Sequence, residues 1–396
     1  MKITYVCNYY KPAWRFGGGV SSAVAMCESL AALGADVHVL TTDVDVDGYL
    51  PVAVDTPQQD GGVTVTYFAA PRVARRRLFL APALVRGAAR AIRECDVAIL
   101  DLLLTQPLGP LAAACRRTAV PYVVPLHGQL LPWALNRRMR MTQLYLAAIG
   151  RSALNGAGAI WCTDSLETQN LEALGITAPA MIVPHAFRPT AANHGRDWRG
   201  EMRARGALLL MLGRLHRKKR PDIAVDVAAR LRRDGLDCTL VFAGPDEGNL
   251  QDGLMAQAFE AGCAADVRFV GSLVPGEAQS LLSASDVLLM PSEAGSENFG
   301  MAALEAAAAG VPVIASEGVP IARTLAEQGG AFYLPCCPDA FHRTAARLLS
   351  EDGLATSVGS TARRIVNERF AAPRVARQLL DTLHHLKTPS YPSCSS

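Results

Sequence analysis

Residues 287–316 read VLLMPSEAGSENFGMAALEAAAAGVPVIAS. A short apolar run, a loop of small and polar residues, a stretch of strong helix formers and a second apolar run succeed one another within this segment. That order is the pattern of strand, helix and parallel strand. The loop 292–300 delivers the chain to a helix that begins near Met301. Free amides at a helix start, added to the positive end of its dipole, make a place for a phosphate or for an array of sugar hydroxyls. Glu297 stands just ahead of that helix and Glu305 in its second turn, so loop and helix can aim both carboxylates at one ligand. The plainer reading of such a pair is one charge favoured by the dipole and one solvated helix residue.

The same alternation extends outward in both directions. Strands are expected at 3–8, 36–42, 63–69, 96–102, 121–126, 158–163 and 180–184, then at 207–212, 238–243, 267–271, 312–315 and 331–334. Helical stretches lie between most of them, in the later half near 221–234, 250–262, 276–284, 318–327 and 338–350. The strands are nearly continuous apolar runs, as strands covered on both faces must be. The chain of 396 residues exceeds the ~250–300 at which a single core stops growing. Half of it is apolar and only 19% is charged, which excludes whole-chain disorder, coiled coil and collagen. The fold class is therefore α/β, with two tandem Rossmann-like doubly wound parallel sheets. The segment 187–206, rich in Pro, Gly and charge, reads as a linker between a domain at 1–188 and a second at 189–372. A last helical stretch, 373–387, could pack on either domain. Open sheets of this kind bind ligands at the carboxyl ends of their strands, so the ligand site is expected in a cleft between the domains.

A second candidate piece is MLGRLHRKKRPD at 211–222, directly after a strand. Arg214 and a lysine five residues on, Lys219, can bring two cations to one anion, and arginine grips phosphate oxygens in a fork. His216, Arg217, Lys218 and Arg220 crowd the same turn, and spacing alone does not choose among them. In the first half, Gly17, Gly18 and Gly19 follow a strand and precede a helix. They allow a backbone to approach a phosphate or an acceptor closely, and equally serve a tight turn with positive φ.

Several function classes are excluded. Residues 1–188 hold 17 basic and 13 acidic side chains and the remainder 22 and 23, so neither half demands nucleic acid. The ten cysteines form no CxxC pair and have no histidine cluster at zinc-ligand spacing, which fits free thiols in a reducing compartment. No signal peptide and no run of ~18 uninterrupted apolar residues is present, so a cytoplasmic, non-spanning protein is expected. There is no G-x-G-x-x-G fingerprint and no GK[ST]. Asp43, Asp45 and Asp47 read as a solvated loop rather than as metal ligands.

Taken together, G-R-L-x-x-x-K at 213–219, S-E-N-F-G-x-x-x-x-E at 296–305 and A-x-x-x-G-x-P-V-I-A at 306–315 resemble the retaining GT-B glycosyltransferases of family 4. In the first half LAALGADVHVLTTD, LHGQLLPWAL at 126–135, TDSLE at 163–167 and VPHAF at 183–187 are similar to that family as well. His185–Ala186 replace the family's usual asparagine-glycine, Arg220 stands where glycine commonly follows the lysine, and Asn298 where glycine is frequent. The resemblance implies that Arg214 and Lys219 hold the donor diphosphate and that Glu305 takes the ribose hydroxyls. Glu297, with the backbone of Asn298, Phe299, Gly300 and Met301, would hold the transferred sugar, and His127 would reach that sugar near its phosphate. The implied reaction moves a hexosyl unit from a nucleotide-diphosphate sugar to a hydroxyl acceptor with retention, with no metal and no other cofactor. A nucleotide-sugar epimerase on the same fold would need a catalytic acid and base at the sugar C2. A two-lobed binding protein would need no such set of charges.

The stretch 71–93 interleaves seven arginines with apolar residues and 136–141 adds three more. Both fit a helix resting on anionic lipid, peripheral to the inner membrane face, and both fit an ordinary surface helix.

Overall fold

The computed structural model describes residues 1–71, 79–131, 134–135, 139–189 and 196–387. Two compact units divide it, one formed by Met1–Ala186 together with the chain from Ala372 onward, the other by Phe187–Ala371.

The first unit carries strands β1 (Lys2–Cys7), β2 (Asp36–Thr42), β3 (Pro57–Asp60), β4 (Val63–Phe68), β5 (Val97–Asp101), β6 (Tyr122–Pro125), β7 (Ala159–Cys162) and β8 (Ala180–Ile182). They form one sheet in the order β3-β4-β2-β1-β5-β6-β7-β8. All neighbours are parallel except β3, which pairs antiparallel with β4. Side chains alternate across it: Ile3, Tyr5 and Cys7 enter the core under helix α1 (Gly18–Ala32), and Val6 enters the opposite core. That second face is covered by α2 (Pro82–Ala91) and α3 (Leu108–Thr118). Helices on both faces leave no solvated side, which is why the strands are apolar on both. The edge strand β3 has the sequence PQQD and was not legible, because it is a backbone pairing without an apolar face.

The helix Ala372–Lys387 belongs to this unit. Its stripe Val375, Ala376, Leu379 and Leu383 is buried in the core beside α1, and Lys387 pairs with Asp96 at 2.8 Å.

The second unit holds β9 (Ala207–Leu212), β10 (Cys238–Ala243), β11 (Val267–Gly271), β12 (Val287–Met290), β13 (Val313–Ser316) and β14 (Phe332–Leu334), all parallel, in the order β11-β10-β9-β12-β13-β14. Leu208 and Leu210 enter one core, Leu209 and Met211 the other, each closed by helices. One helix, Leu354–Arg369, was not anticipated; its buried stripe of Val358, Ala362, Ile365 and Val366 is interrupted by serines and threonines that lower the periodic signal.

The segment 187–206 is not a linker from end to end. The Phe187 N–H donates to the Phe370 carbonyl at 3.0 Å, and Trp198 and Met202 are buried in the second unit's core. Its polar residues are structural: Asp197 caps the short helix Trp198–Glu201, and the Arg196 guanidinium lies 3.7 Å over the Trp198 ring. Residues 190–195 lie outside the described residues.

Of the arginine-rich stretches, 72–78 and 136–138 also lie outside them. The described part of the first is α2, which turns Leu84 and Ala88 inward and leaves Arg86 and Arg90 exposed. Its apolar face is used by the protein's own core, while Leu80 and Pro82 at its start are exposed beside Arg86 and Arg90. Among the described residues no helix is long and apolar enough to cross a membrane.

Candidate active site

In a doubly wound sheet the connections leave in opposite directions on either side of one strand pair, and the loops at the carboxyl ends of that pair part to leave a crevice. In the second unit the pair is β9 and β12, so the crevice lies between the loops 213–220 and 291–300. The two loops are joined directly. The Glu293 N–H donates to the Lys218 carbonyl at 2.8 Å, and Lys218 Nζ donates to the Ser296 carbonyl at 3.1 Å.

The first loop is shaped by its polar residues. The Gly213 N–H bonds the Ala243 carbonyl at 2.7 Å, and His216 Nδ1 accepts the Lys218 N–H at 3.1 Å, starting the single 3-10 turn Arg217–Lys219. Arg220 closes that turn with φ +50°, a left-handed conformation that explains why glycine suits the position. Its guanidinium is occupied by Asp222, at 2.7 Å, and does not reach the crevice residues. The chain reversal returns Lys219 to Glu297, Nζ to Oε1 2.8 Å, with both side chains nearly buried at 12% and 13% exposure. Arg214 is half exposed and pairs instead with Glu247, in the loop after β10, at 3.1 Å. The two cations that were expected to converge on one anion are thus each held by a separate carboxylate.

Glu297 also accepts from the Ser292 hydroxyl at 3.1 Å. Burial works against its charge, but the Lys219 and Lys218 ammonium groups overcome that, and its carboxyl titrates below the ordinary range. Gly300 precedes the helix Met301–Ala309 with φ +98°, and a Cβ there would fall 2.5 Å from Val319. Phe299 is buried with its ring edge-on to Phe370 at 5.9 Å, and its carbonyl accepts the Ile321 N–H at 3.0 Å. The side chain of Phe299 is therefore core, and the turn it anchors fixes where the leading amides of the helix begin. Glu305, one turn further, makes no hydrogen bond or ion pair among the described residues, and burial alone pushes its pKa up to about 7. The two carboxylates are in different states: Glu297 ionised and paired, Glu305 poised between charged and neutral.

In the first unit the corresponding strand pair is β1 and β5. Gly17 begins α1 with φ +89°, Gly18 and Gly19 form its first residues, and a Cβ at Gly19 would meet nothing within 4 Å. The positive φ at Gly17 fits the turn reading, and a Cβ at Gly17 would likewise meet nothing within 4 Å. His127 follows β6 with φ +49°. Its Nε2 lies 3.1 Å from Asp101 Oδ2, and its ring stacks on that of His185 with centroids 5.2 Å apart and planes 8° from parallel. Below it the buried Glu167 accepts the Gly128 N–H, and the N–H and hydroxyl of Thr163 at 2.6 and 2.9 Å. Asp101, Glu167 and Glu247 were not anticipated as site residues. Asp101 did carry a signal, a charged residue closing an otherwise apolar strand; the other two did not.

Asp43, Asp45 and Asp47 disperse: Asp43 accepts the Ala70 N–H at 2.8 Å, Asp45 the Val46 N–H at 2.8 Å, and Asp47 pairs with Arg15 at 2.5 Å. Among the described residues no cluster of three or more His, Cys, Asp or Glu side chains could hold a metal ion.

Residues 198–365 match the family described as Glycosyl transferases group 1, and residues 17–186 match the Glycosyl transferase 4-like domain. The chain is 32% identical over 242 residues to a glycogen synthase of Mycobacterium tuberculosis, an alignment that spans 58% of this chain and only 54% of that protein. It is 27% identical over 350 residues to a GDP-mannose-dependent alpha-(1-6)-phosphatidylinositol dimannoside mannosyltransferase of the same species, covering 84% of this chain and 83% of that protein. Among solved structures, Anabaena HepE in complex with UDP superposes with TM-score 0.74 at 22% identity, over 97% of this chain and all of that one. The sucrose-phosphate synthase of Thermosynechococcus elongatus superposes with TM-score 0.74 at 18% identity, over 97% and 98%. The two doubly wound units thus carry, in order, a match to the Glycosyl transferase 4-like domain and a match to Glycosyl transferases group 1, on the GT-B fold that the solved structures share.

Proposed function

We propose that this protein transfers a hexosyl unit from a nucleotide-diphosphate sugar to a hydroxyl acceptor, with retention of anomeric configuration and without a metal ion. One observation carries the reading. At the β9/β12 crevice a nearly buried lysine and a paired carboxylate stand in two adjacent loops, and the helix that the second loop pins carries a carboxylate with no partner among the described residues. Phosphate oxygens suit the lysine, and hydroxyl arrays suit the carboxylates. Lys219 and Arg214 would take the diphosphate, exchanging Glu297 and Glu247 for phosphate oxygens. Glu305 would take the ribose, Glu297 and the backbone of 298–301 the transferred sugar, and His127 with the Gly17–Gly19 turn would serve the sugar and acceptor. The departing diphosphate gains negative charge, which fixed cations and amides stabilise without a metal. Retention is supported by the resemblance of the motifs at 213–219, 296–305 and 306–315 to the retaining enzymes; no carboxylate here is assigned as a covalent nucleophile.

The test is a panel of nucleotide sugars incubated with purified protein, with and without excess EDTA, and mass detection of released nucleotide. One donor should be consumed at a rate that chelation leaves unchanged. No turnover with any donor would defeat the activity, and loss with EDTA that manganese restores would defeat the metal-free mechanism.

We further propose a cytoplasmic protein that touches anionic membrane through the arginines of 71–93 and 136–141. Because α2 turns Leu84 and Ala88 into the core and Arg86 and Arg90 outward, the contact would be mainly electrostatic, with Leu80 and Met141 as exposed apolar side chains within the two stretches. Sedimentation with phosphatidylserine vesicles should retain the protein at low salt and release it at ~0.5 M salt, where the Debye length falls below ~5 Å. Retention unchanged by salt, or no binding at low salt, would contradict it.

A further inference from the structure

His127 is held by very little of its own. Nε2 faces Asp101, Nδ1 is buried without a hydrogen-bond partner among the described residues, and the backbone sits in the left-handed region. Two neighbours must therefore determine where the ring points. Asp101 closes β5 at the strand pair where the sheet order reverses, and its Oδ2 accepts from the Tyr5 hydroxyl at 2.8 Å as well as from His127. A carboxylate accepts only, so its contact places the imidazole proton on Nε2 and leaves the Nδ1 lone pair bare in the neutral ring. His185 supplies the other constraint. It is 4% exposed, its ring lies nearly parallel against that of His127, and its Nδ1 is 2.8 Å from the Ser22 hydroxyl on α1. The stack, the carboxylate and α1 thus converge on one ring from β5, the end of β8 and the helix that Gly17 begins.

We propose that Asp101 and His185 are positioning residues for His127, Asp101 fixing the tautomer and the ring plane, and His185 backing the ring from a bearing that Ser22 provides. The inference rests on the proposed reading only in supposing that His127 meets the sugar. The charge states agree with the division of labour. Burial opposes a charged His127, but Asp101, with Glu167 behind it, raises its pKa above the ordinary value. Burial and the neighbouring His127 charge press His185 down to about 3, so the backing ring stays neutral, and a neutral ring can lie against a charged one without repulsion.

The experiment uses the full chain with ¹⁵N-labelled histidine, titrated upward in pH until the His127 resonances stop shifting and the ring is neutral, beside turnover of the donor found in the nucleotide-sugar panel. The His127 resonances, assigned by their loss in His127→Gln, should show the Nε2–H tautomer in the wild type. In Asp101→Asn, whose amide can also donate, they should show a mixed or reversed tautomer. Turnover should fall by about 10²-fold with donor KM changed less than ~3-fold, since a displaced ring costs orientation rather than binding. His185→Ala should also lower kcat, and His185→Phe, which keeps a ring in the stack, should restore most of it. Should Asp101→Asn not fold, the His185 pair carries the turnover test and the wild-type tautomer still decides the role of Asp101. An Nδ1–H tautomer in the wild type, wild-type kcat in Asp101→Asn, or equal kcat in His185→Ala and His185→Phe would overturn the proposal. If no donor is turned over at all, the functional reading fails, while the tautomer measurement still accepts or rejects the role of Asp101.

Discussion

Lys219→Ala is expected to lower turnover by ~10²–10³, the usual cost of removing one fixed donor from developing charge. The ion pair with Glu297 makes this variant informative in a second way. Glu297 is nearly buried, and deleting its partner leaves a charge held only by Ser292 and the nearby Lys218. Breaking a buried pair typically costs ~3–5 kcal/mol, and the remaining lysine should hold the loss near the low end. The single variant is thus both slow and less stable, and slowness could be charged to instability. Lys219→Ala combined with Glu297→Gln separates the two, because a neutral amide needs no counter-charge. The double variant should recover most of the melting temperature and, set against Glu297→Gln alone because that change itself depresses transfer, should still turn over ~10²-fold more slowly than the Glu297→Gln single variant. Recovery of turnover along with stability would show that Lys219 acts only by holding Glu297, and its assignment to the diphosphate would fall. Lys218→Ala is the local comparison. Its ammonium bonds the Ser296 carbonyl, so the loss should loosen the loop and slow transfer only several-fold. Arg214→Ala should slow transfer without changing stability, since its pair with Glu247 is exposed and such pairs contribute ~0–1 kcal/mol.

Strands β2, β9, β10 and β11 have the bounds expected of them, and for β9 and β10, buried in the middle of the run on both faces, an almost wholly apolar composition is what made them legible. The polar edge strand β3 and the serine-interrupted helix Leu354–Arg369 escaped for the converse reason: their stabilisation lies in backbone pairing and tertiary burial. In the site, the helix start near Met301 followed from the strand end and loop length ahead of it, whereas Lys219 and His127 were singled out through the resemblance rather than by spacing. What did not follow was pairing. Nothing in 211–222 distinguishes Lys219, which turns back to Glu297, from Arg220, which turns to Asp222. The choice is made by the left-handed φ at Arg220, a property of the folded turn. Likewise Trp198 sits in a stretch whose composition is that of a linker, and only its burial reveals it as core.

Glu305 and Glu297 are expected to separate by role. Glu305→Gln should weaken the bare nucleoside diphosphate ten- to hundred-fold, the effect of losing ~1.5–3 kcal/mol from hydrogen bonds to a charged acceptor. Glu297→Gln should leave that affinity near wild type and depress transfer, because the hydroxyls it would hold are absent from the bare nucleotide. The partnerless state of Glu305 adds a pH signature. Its folded pKa of about 7 lies above the ordinary 4.5, so the folded protein holds a proton that the unfolded chain releases between those values. Stability from this group is fully present below pH 4.5 and is lost as pH rises through about 7, on the order of 3 kcal/mol at 1.36 per unit. Glu305→Gln should remove that decline. Ribose hydroxyls are donors to a carboxylate, so nucleotide affinity should rise with pH through the same window in the wild type and not in Glu305→Gln.

The most direct test of the crevice as a nucleotide-sugar site is calorimetric titration of the wild type, Glu305→Gln and Glu297→Gln with a nucleoside diphosphate at pH 6 and pH 8. The predicted result is a wild-type affinity that is higher at pH 8, a ten- to hundred-fold loss confined to Glu305→Gln, and a Glu297→Gln affinity within a few-fold of wild type. Equal losses in the two variants, or binding that neither substitution alters, would contradict it.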